Sequence, residues 1–265
     1  MFKQNKKLKS IFKKNMSESS IAERIYPSQD IITKEVEQEH IERYNFARNY
    51  LKTEWVVLDA ACGSGYGTQI LSKTAKKIIG IDVSKEAIIY AESNFKSSNV
   101  DFVTANLEKK LLFNNKYFDA IISFETIEHL KNQELMIKEF ARVLKKEGLL
   151  IISSPDKETV TKTGVENPYH VEELTKKEFI NLVSKYFSIE NIFGQTEIVI
   201  LPRWKKTIKD AVKKFDFLNL RKFILKSGLK RLSKNFSTAA YGPITKINFS
   251  DPPKYYVIII KARKL

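Results

Sequence analysis

Three segments of this chain hold chemistry-bearing residues at informative spacings. In Trp55-Val-Val-Leu-Asp-Ala-Ala-Cys-Gly-Ser-Gly-Tyr-Gly67, an apolar run ends in Asp59 and passes into a turn with Gly63, Gly65 and Gly67. Glycine lets the backbone turn tightly and approach a ligand, and a helix starting just beyond offers free N–H groups. A second acid, Asp82, ends the run Lys77-Ile-Ile-Gly-Ile81, about 20 residues past the turn. An acid so placed can accept hydrogen bonds from ribose hydroxyls. The Gly-x-Gly-x-Gly spacing is not the Gly-x-Gly-x-x-Gly of the dinucleotide fingerprint, which argues against NAD.

The second and third segments are Glu125-Thr-Ile-Glu-His129 and Asn167-Pro-Tyr-His-Val171. If the first turns helically, Glu125, Glu128 and His129 share a face. His170 would reach the same rim, and the remaining histidine, His40, precedes the glycine turn. Three uses stay open. Glu125, Glu128, His129 and His170 could hold a hard divalent cation beside an acceptor hydroxyl. His129 or His170, with Glu125, could instead take the acceptor's proton directly. Or the carboxylates cap a helix and touch the cofactor while His129 packs.

These residues need elements to hold them. Trp55–Leu58, Lys77–Ile81, Asn99–Thr104, Lys116–Phe124, Leu149–Ser153, Ser188–Phe193 and Tyr255–Lys261 read as seven strands. They alternate with helical patterns at residues 68–74, 85–95 and 133–145, the last ended by Gly148, and after the capping box Thr175-x-x-Glu178. The pattern predicts an α/β fold, a doubly wound Rossmann-like sheet, mostly parallel with the last strand antiparallel. Residues 1–20 form a basic tail, 21–201 the core with a lid helix over 33–51, 202–240 a basic helical insertion, and 241–265 the last strand. Cys62, the sole cysteine, reads as a small packed side chain in a reducing compartment.

Val-Leu-Asp-Ala-Ala-Cys-Gly-Ser-Gly followed by Gly-Ile-Asp-Val-Ser resembles the class I S-adenosylmethionine (SAM)-dependent methyltransferases. The resemblance implies a SAM site built from Asp59, Ala61, Gly63, Ser64, Gly65, Asp82, Val83, Asn106, Leu107 and Phe124. Asn106 stands where the family pattern places an acid for the adenine amino group, and its side-chain carbonyl can still accept that bond. Glu23-Arg-Ile-Tyr-Pro27 and Glu39-His-Ile-Glu-Arg-Tyr44 are similar to the entrance of bacterial methyltransferases associated with surface-polysaccharide and O-antigen assembly. There Arg24, Tyr26, Glu39, His40 and Tyr44 would be lid residues. Ser123–Leu130, Leu149–Pro155 and Asn167–Val171 strengthen that likeness. Glu-x-x-Glu-His with a later His also resembles quinone-biosynthesis O-methyltransferases and small-RNA 2′-O-methyltransferases, which implies Mg²⁺ near the acceptor.

The net charge of +15 is unevenly spread: residues 1–16 carry +6 and 202–235 carry +10, while 17–201 sum to −5. A mildly acidic body with two basic appendages suits docking on an anionic membrane surface through residues 202–235 more than a polyanion-binding active site. A helical cap packed on the core would show the same pattern. No apolar run is long enough to span a bilayer. The expectation is a cytoplasmic enzyme, peripheral at the inner face of the membrane, methylating a sugar hydroxyl or phosphate of a cell-surface glycan or its lipid-linked precursor. Its rivals are an RNA methyltransferase, which the absence of a recognisable RNA-binding module disfavours, a quinone-type O-methyltransferase, and a non-catalytic SAM-binding subunit.

Overall fold

A computed structural model of the chain describes residues 34–163, 167–195, 244–252, 255 and 257–265. The basic tail, Arg24, Tyr26 and the basic insertion at 202–240 lie outside the described residues.

The chain runs through α1 (Lys34–Arg48), β1 (Val56–Ala60), α2 (Tyr66–Ser72), β2 (Lys77–Asp82), α3 (Lys85–Phe95), β3 (Val100–Thr104) and β4 (Phe118–Ser123). A 3₁₀ turn (Ile127–His129) leads to α4 (Gln133–Val143), β5 (Leu144–Pro155), α5 (Lys157–Thr163), α6 (Lys176–Ser184), β6 (Phe187–Gln195), β7 (Ile244–Ile247) and β8 (Val257–Lys264). The strands form one sheet in the order β3-β2-β1-β4-β5-β8-β6-β7. The first five pair in parallel, and β8 inserts antiparallel between β5 and β6.

Alternating side chains of the central strands are buried on both faces, as continuous apolar runs require. Leu58 and Ile121 face a layer with Met136, Phe140 and Phe179 of α4 and α6. Val57 and Ile122 face the opposite layer, with Tyr44 and Ala47 of α1 and Leu71 of α2. Helix starts follow local chemistry: Ser84 and Asn132 each accept a backbone N–H at an N-cap, and Thr175 with Glu178 completes the expected capping box.

Two expectations are corrected. The sheet has eight strands rather than seven, because Ile244–Ile247 pairs antiparallel with β6 at the edge; the C-terminal segment thus supplies two strands. With Thr245 and Lys246 exposed between two isoleucines, this strand is too short to show a period. Gly148 does not end α4. The helix stops at Val143, and Leu144 pairs with Phe118 before the register jumps to Ala120–Leu149. Glu147, with φ 59, absorbs the turn that displaces the residues between.

Candidate active site

The chain order reverses between β1 and β4, which lie side by side. That switch point opens a crevice beyond the strands' C-terminal ends, where open α/β sheets take ligands. β1 delivers Asp59 and the glycine turn, β2 delivers Asp82, and β4 delivers Phe124 to His129. The backbone just beyond both central strands is strained: Ala61, one residue past β1, has φ 63 and Glu125, two residues past β4, φ 48. Left-handed backbone at non-glycine residues persists where the surroundings over-determine it, and it clusters at functional sites.

The glycine turn is held from beneath. Gly63 N–H donates to Asp82 Oδ2 at 3.0 Å, and Ser84 N–H to Asp82 Oδ1 at 2.9 Å. The carboxylate is therefore oriented by two backbone donors. Gly65, at φ 88, needs glycine twice over, since a Cβ there would lie 2.7 Å from the Ala91 Cβ and 2.9 Å from the Phe102 ring. Ser64 is fully buried, Val83 is exposed beside Asp82, and Leu107 and Phe124 are buried nearby in sequence to the strand ends. Asn106 Oδ1 accepts from Glu108 N–H at 2.8 Å, leaving its second lone pair for an amino donor. Cys62 is buried, and burial pushes its thiol well above the ordinary range, in keeping with a packed side chain.

Asp59 contributes differently from Asp82. It is fully buried, accepting from Thr68 Oγ1 at 2.6 Å and from Tyr44 Oη at 3.2 Å. It thus ties α1 to the helix that follows the glycine turn. Burial raises its pKa to about 7, against the lowering effect of the two hydroxyl donors. A carboxyl raised in the folded state contributes stability that is complete below its unfolded pKa and lost as pH rises through about 7. At about 1.4 kcal/mol per unit, the shift is on the order of 4 kcal/mol at most. Asp59→Asn is accordingly expected to flatten the fall in stability between the ordinary carboxyl value of 3.8 and the raised value of about 7, measured by urea denaturation. An unchanged pH profile would show that Asp59 stays ionised.

Beyond β4 the segment does turn, but as a 3₁₀ turn that starts only at Ile127. Glu128, His129 and His170 offer ligand atoms within 4.8 Å of one another, a set that could hold a metal ion. Glu125, expected in the same set, lies outside it. Its left-handed backbone turns it to Ser153, which accepts from Glu125 N–H at 3.0 Å and donates to Glu125 Oε1 at 2.7 Å.

Glu128 is buried, and neither carboxyl oxygen has a hydrogen-bond partner among the described residues. Burial, and next the charge of Glu125, push its carboxyl well above the usual range. His129 Nε2 stands 3.9 Å from Glu128 Oε1, while its Nδ1 lies 3.0 Å from the Tyr169 carbonyl oxygen. The two imidazoles meet edge to face, 5.1 Å apart. An imidazole held through Nδ1 by a carbonyl, beside a buried carboxyl with two unused oxygens, fits a divalent cation.

Sequence reasoning missed Arg43. It lies on α1 beside the expected lid residues His40 and Tyr44, is 2 % exposed, and donates from Nη1 to Gln195 Oε1 at 2.6 Å. Its Nε is buried without a partner among the described residues. Desolvation, and next the Arg43 charge, hold His40 well below the ordinary imidazole range. The Arg43 charge also favours the ionised form of the buried Glu128 carboxyl, and a buried guanidinium with an N–H unused among the described residues can receive an anionic group of a ligand. Its one sequence signal was a charge next to the apolar stripe of the helix. Gln195, 152 residues further along the chain, gave none.

Residues 58–152 match the family described as "Methyltransferase domain". The chain is 33% identical over 129 residues to a Mycobacterium tuberculosis protein described as "Probable S-adenosylmethionine-dependent methyltransferase", covering 48% of this chain and 46% of that one. It is 32% identical over 103 residues to the ubiquinone biosynthesis O-methyltransferase of Pelagibacter ubique, covering 38% and 42%. The chain thus spans about half the length, or less, of these curated relatives. Among solved structures, the N-methyltransferase NodS from Bradyrhizobium japonicum superposes with a TM-score of 0.58 at 13% identity, over 96% of this chain and 97% of that one, and shares the fold. No helix among the described residues is long and apolar enough to cross a membrane. The strand–glycine turn–helix unit and the oriented Asp82 fall in the stretch that matches the methyltransferase domain, and the relatives that share it include proteins described as SAM-dependent methyltransferases.

Proposed function

We propose that this protein transfers the methyl group of SAM to a hydroxyl or phosphate oxygen of a cell-surface glycan or its lipid-linked precursor. The observation that carries an oxygen acceptor is the convergence of Glu128, His129 and His170 beside the cofactor crevice. Methyl transfer joins the acceptor oxygen to the methyl carbon as the carbon–sulfur bond breaks. The sulfonium is already activated, so the protein's tasks are alignment and removal of one proton. Without a metal, His129 Nε2 would take that proton, its Nδ1–H donating to the Tyr169 carbonyl. Alternatively, Glu128, His129 and His170 would hold Mg²⁺, which lowers the pKa of a bound hydroxyl, and the His129 lone pair would then serve the metal instead of the proton. Asp82 would accept from ribose hydroxyls, and Arg43 would face a carboxylate or phosphate. For the glycan, support comes from the likeness of the entrance and rim segments to surface-polysaccharide methyltransferases. The basic segment 202–235 would then dock on the membrane that bears the lipid-linked acceptor.

A second reading, a small phenolic acceptor, is favoured by the similarity to ubiquinone biosynthesis O-methyltransferases. The deciding experiment offers methyl-labelled SAM in parallel to envelope glycolipid, to a catechol quinone precursor and to total RNA, each with Mg²⁺ and with EDTA. Label in glycolipid supports the proposal. Label confined to the catechol or RNA arm overturns the glycan acceptor, and transfer undiminished by EDTA overturns the cation.

A further inference from the structure

The loop from Asn167 to Glu173 carries more than His170. Asn167 Oδ1 accepts from Tyr169 N–H at 3.0 Å, which fixes the orientation of the amide. Its Nδ2 therefore faces His170 Nε2, at 3.0 Å, as a donor. That leaves Nε2 as the acceptor nitrogen and Nδ1 as the N–H, and Nδ1 lies 2.6 Å from Glu173 Oε1. Both side chains are shielded, His170 at 10% and Glu173 at 17% exposure. A charge-assisted bond so sheltered is stronger than one in water.

The loop does not depend on this bond for its place. Val171 and Glu172 N–H both donate to the Glu128 carbonyl, at 2.8 and 3.1 Å, and Gln133 Nε2 donates to the Glu172 carbonyl at 2.7 Å. Glu173 is thus spare as a structural anchor and specific as a partner of one ring nitrogen.

We propose that Glu173 is the positioning residue of His170, holding its imidazole in the Nδ1–H tautomer so that Nε2 keeps its lone pair for the acceptor site. The Asn167 amide occupies that lone pair and yields it to a metal ion or acceptor proton. The Tyr169 carbonyl does the corresponding service for His129, so one loop orients both imidazoles. The use made of the lone pair rests on the function proposed above; the tautomer does not.

The test therefore reads the tautomer first. With only three histidines in the chain, long-range ¹H–¹⁵N correlation spectra of the full-length protein at alkaline pH resolve each ring. The wild type is expected to show His170 protonated at Nδ1, and Glu173→Ala to show a shift toward the Nε2–H form. Glu173→Gln, which keeps the shape of the side chain and can donate to Nδ1, is expected to shift the same way. Wild-type His170 protonated at Nε2, or a tautomer unmoved in both variants, overturns the proposal. The second reading is Mn²⁺ affinity, expected to fall about 10- to 100-fold in Glu173→Gln while SAM affinity holds. Equal Mn²⁺ affinity in the two proteins would overturn the positioning role. A wild type that binds no Mn²⁺ would instead remove the cation from the proposed function and leave the tautomer to decide on Glu173.

Discussion

Glu128→Met is expected to make the ligand-free protein more stable while abolishing metal-stimulated methyl transfer. The side chain is 1% exposed, and both carboxyl oxygens lack a partner among the described residues. An unsatisfied buried polar group costs about 1–3 kcal/mol, and methionine fills nearly the same volume without it. The Glu128 main chain, whose carbonyl latches the Asn167–Glu173 loop through two N–H groups, is untouched by the change. Urea denaturation should therefore show a gain of that order. Transfer activity should fall by about 100-fold or more, since a cation ligand is lost. A group retained at a cost to stability is one that function requires. A variant that is less stable and equally active would show that the carboxyl serves only the fold.

The parts of this site that were legible in the sequence are those whose chemistry is local. The glycine turn follows its strand directly, and Asp82 ends the next strand, so spacing alone placed both acids at one edge. His129 and Glu128 are neighbours, and their convergence with His170 needed only that two loops follow adjacent parallel strands. Glu125 was misplaced for a local reason that sequence does not display. Its backbone enters the left-handed region, and the turn begins two residues later. Glu173 stands three residues from His170, but in a loop, where no helical period flags the pair. Arg43, on α1, meets Gln195, at the end of β6, across 152 residues. Such a contact exists only once the sheet has been assembled. The edge strand β7 was hidden for a related reason, because four residues with two exposed polar side chains carry too little pattern.

Helix α1 and the glycine turn share a contact that should make one substitution change sign with its background. Gly67 sits in the first turn of α2 and is buried. A Cβ there would lie 2.1 Å from the Tyr44 ring. That ring is confined in turn by edge contacts with Tyr66 and Phe124, at 5.6 and 5.2 Å between centroids, and by its hydroxyl on Asp59. It cannot retreat without pulling α1 from the turn. Gly67→Ala is therefore expected to cost about 3 kcal/mol, the upper end for overpacking a tight core, and to weaken SAM binding as the turn shifts. Alanine in a helix is otherwise better than glycine by about 0.5–1 kcal/mol. In a Tyr44→Ala background the obstruction is gone, and the same substitution should become neutral or stabilising by that smaller amount. The double-mutant cycle, read by urea denaturation and by SAM titration, isolates the Tyr44–Gly67 coupling. Additive effects would mean that Tyr44 does not press on the turn, and α1 would then be only a neighbour of the cofactor site.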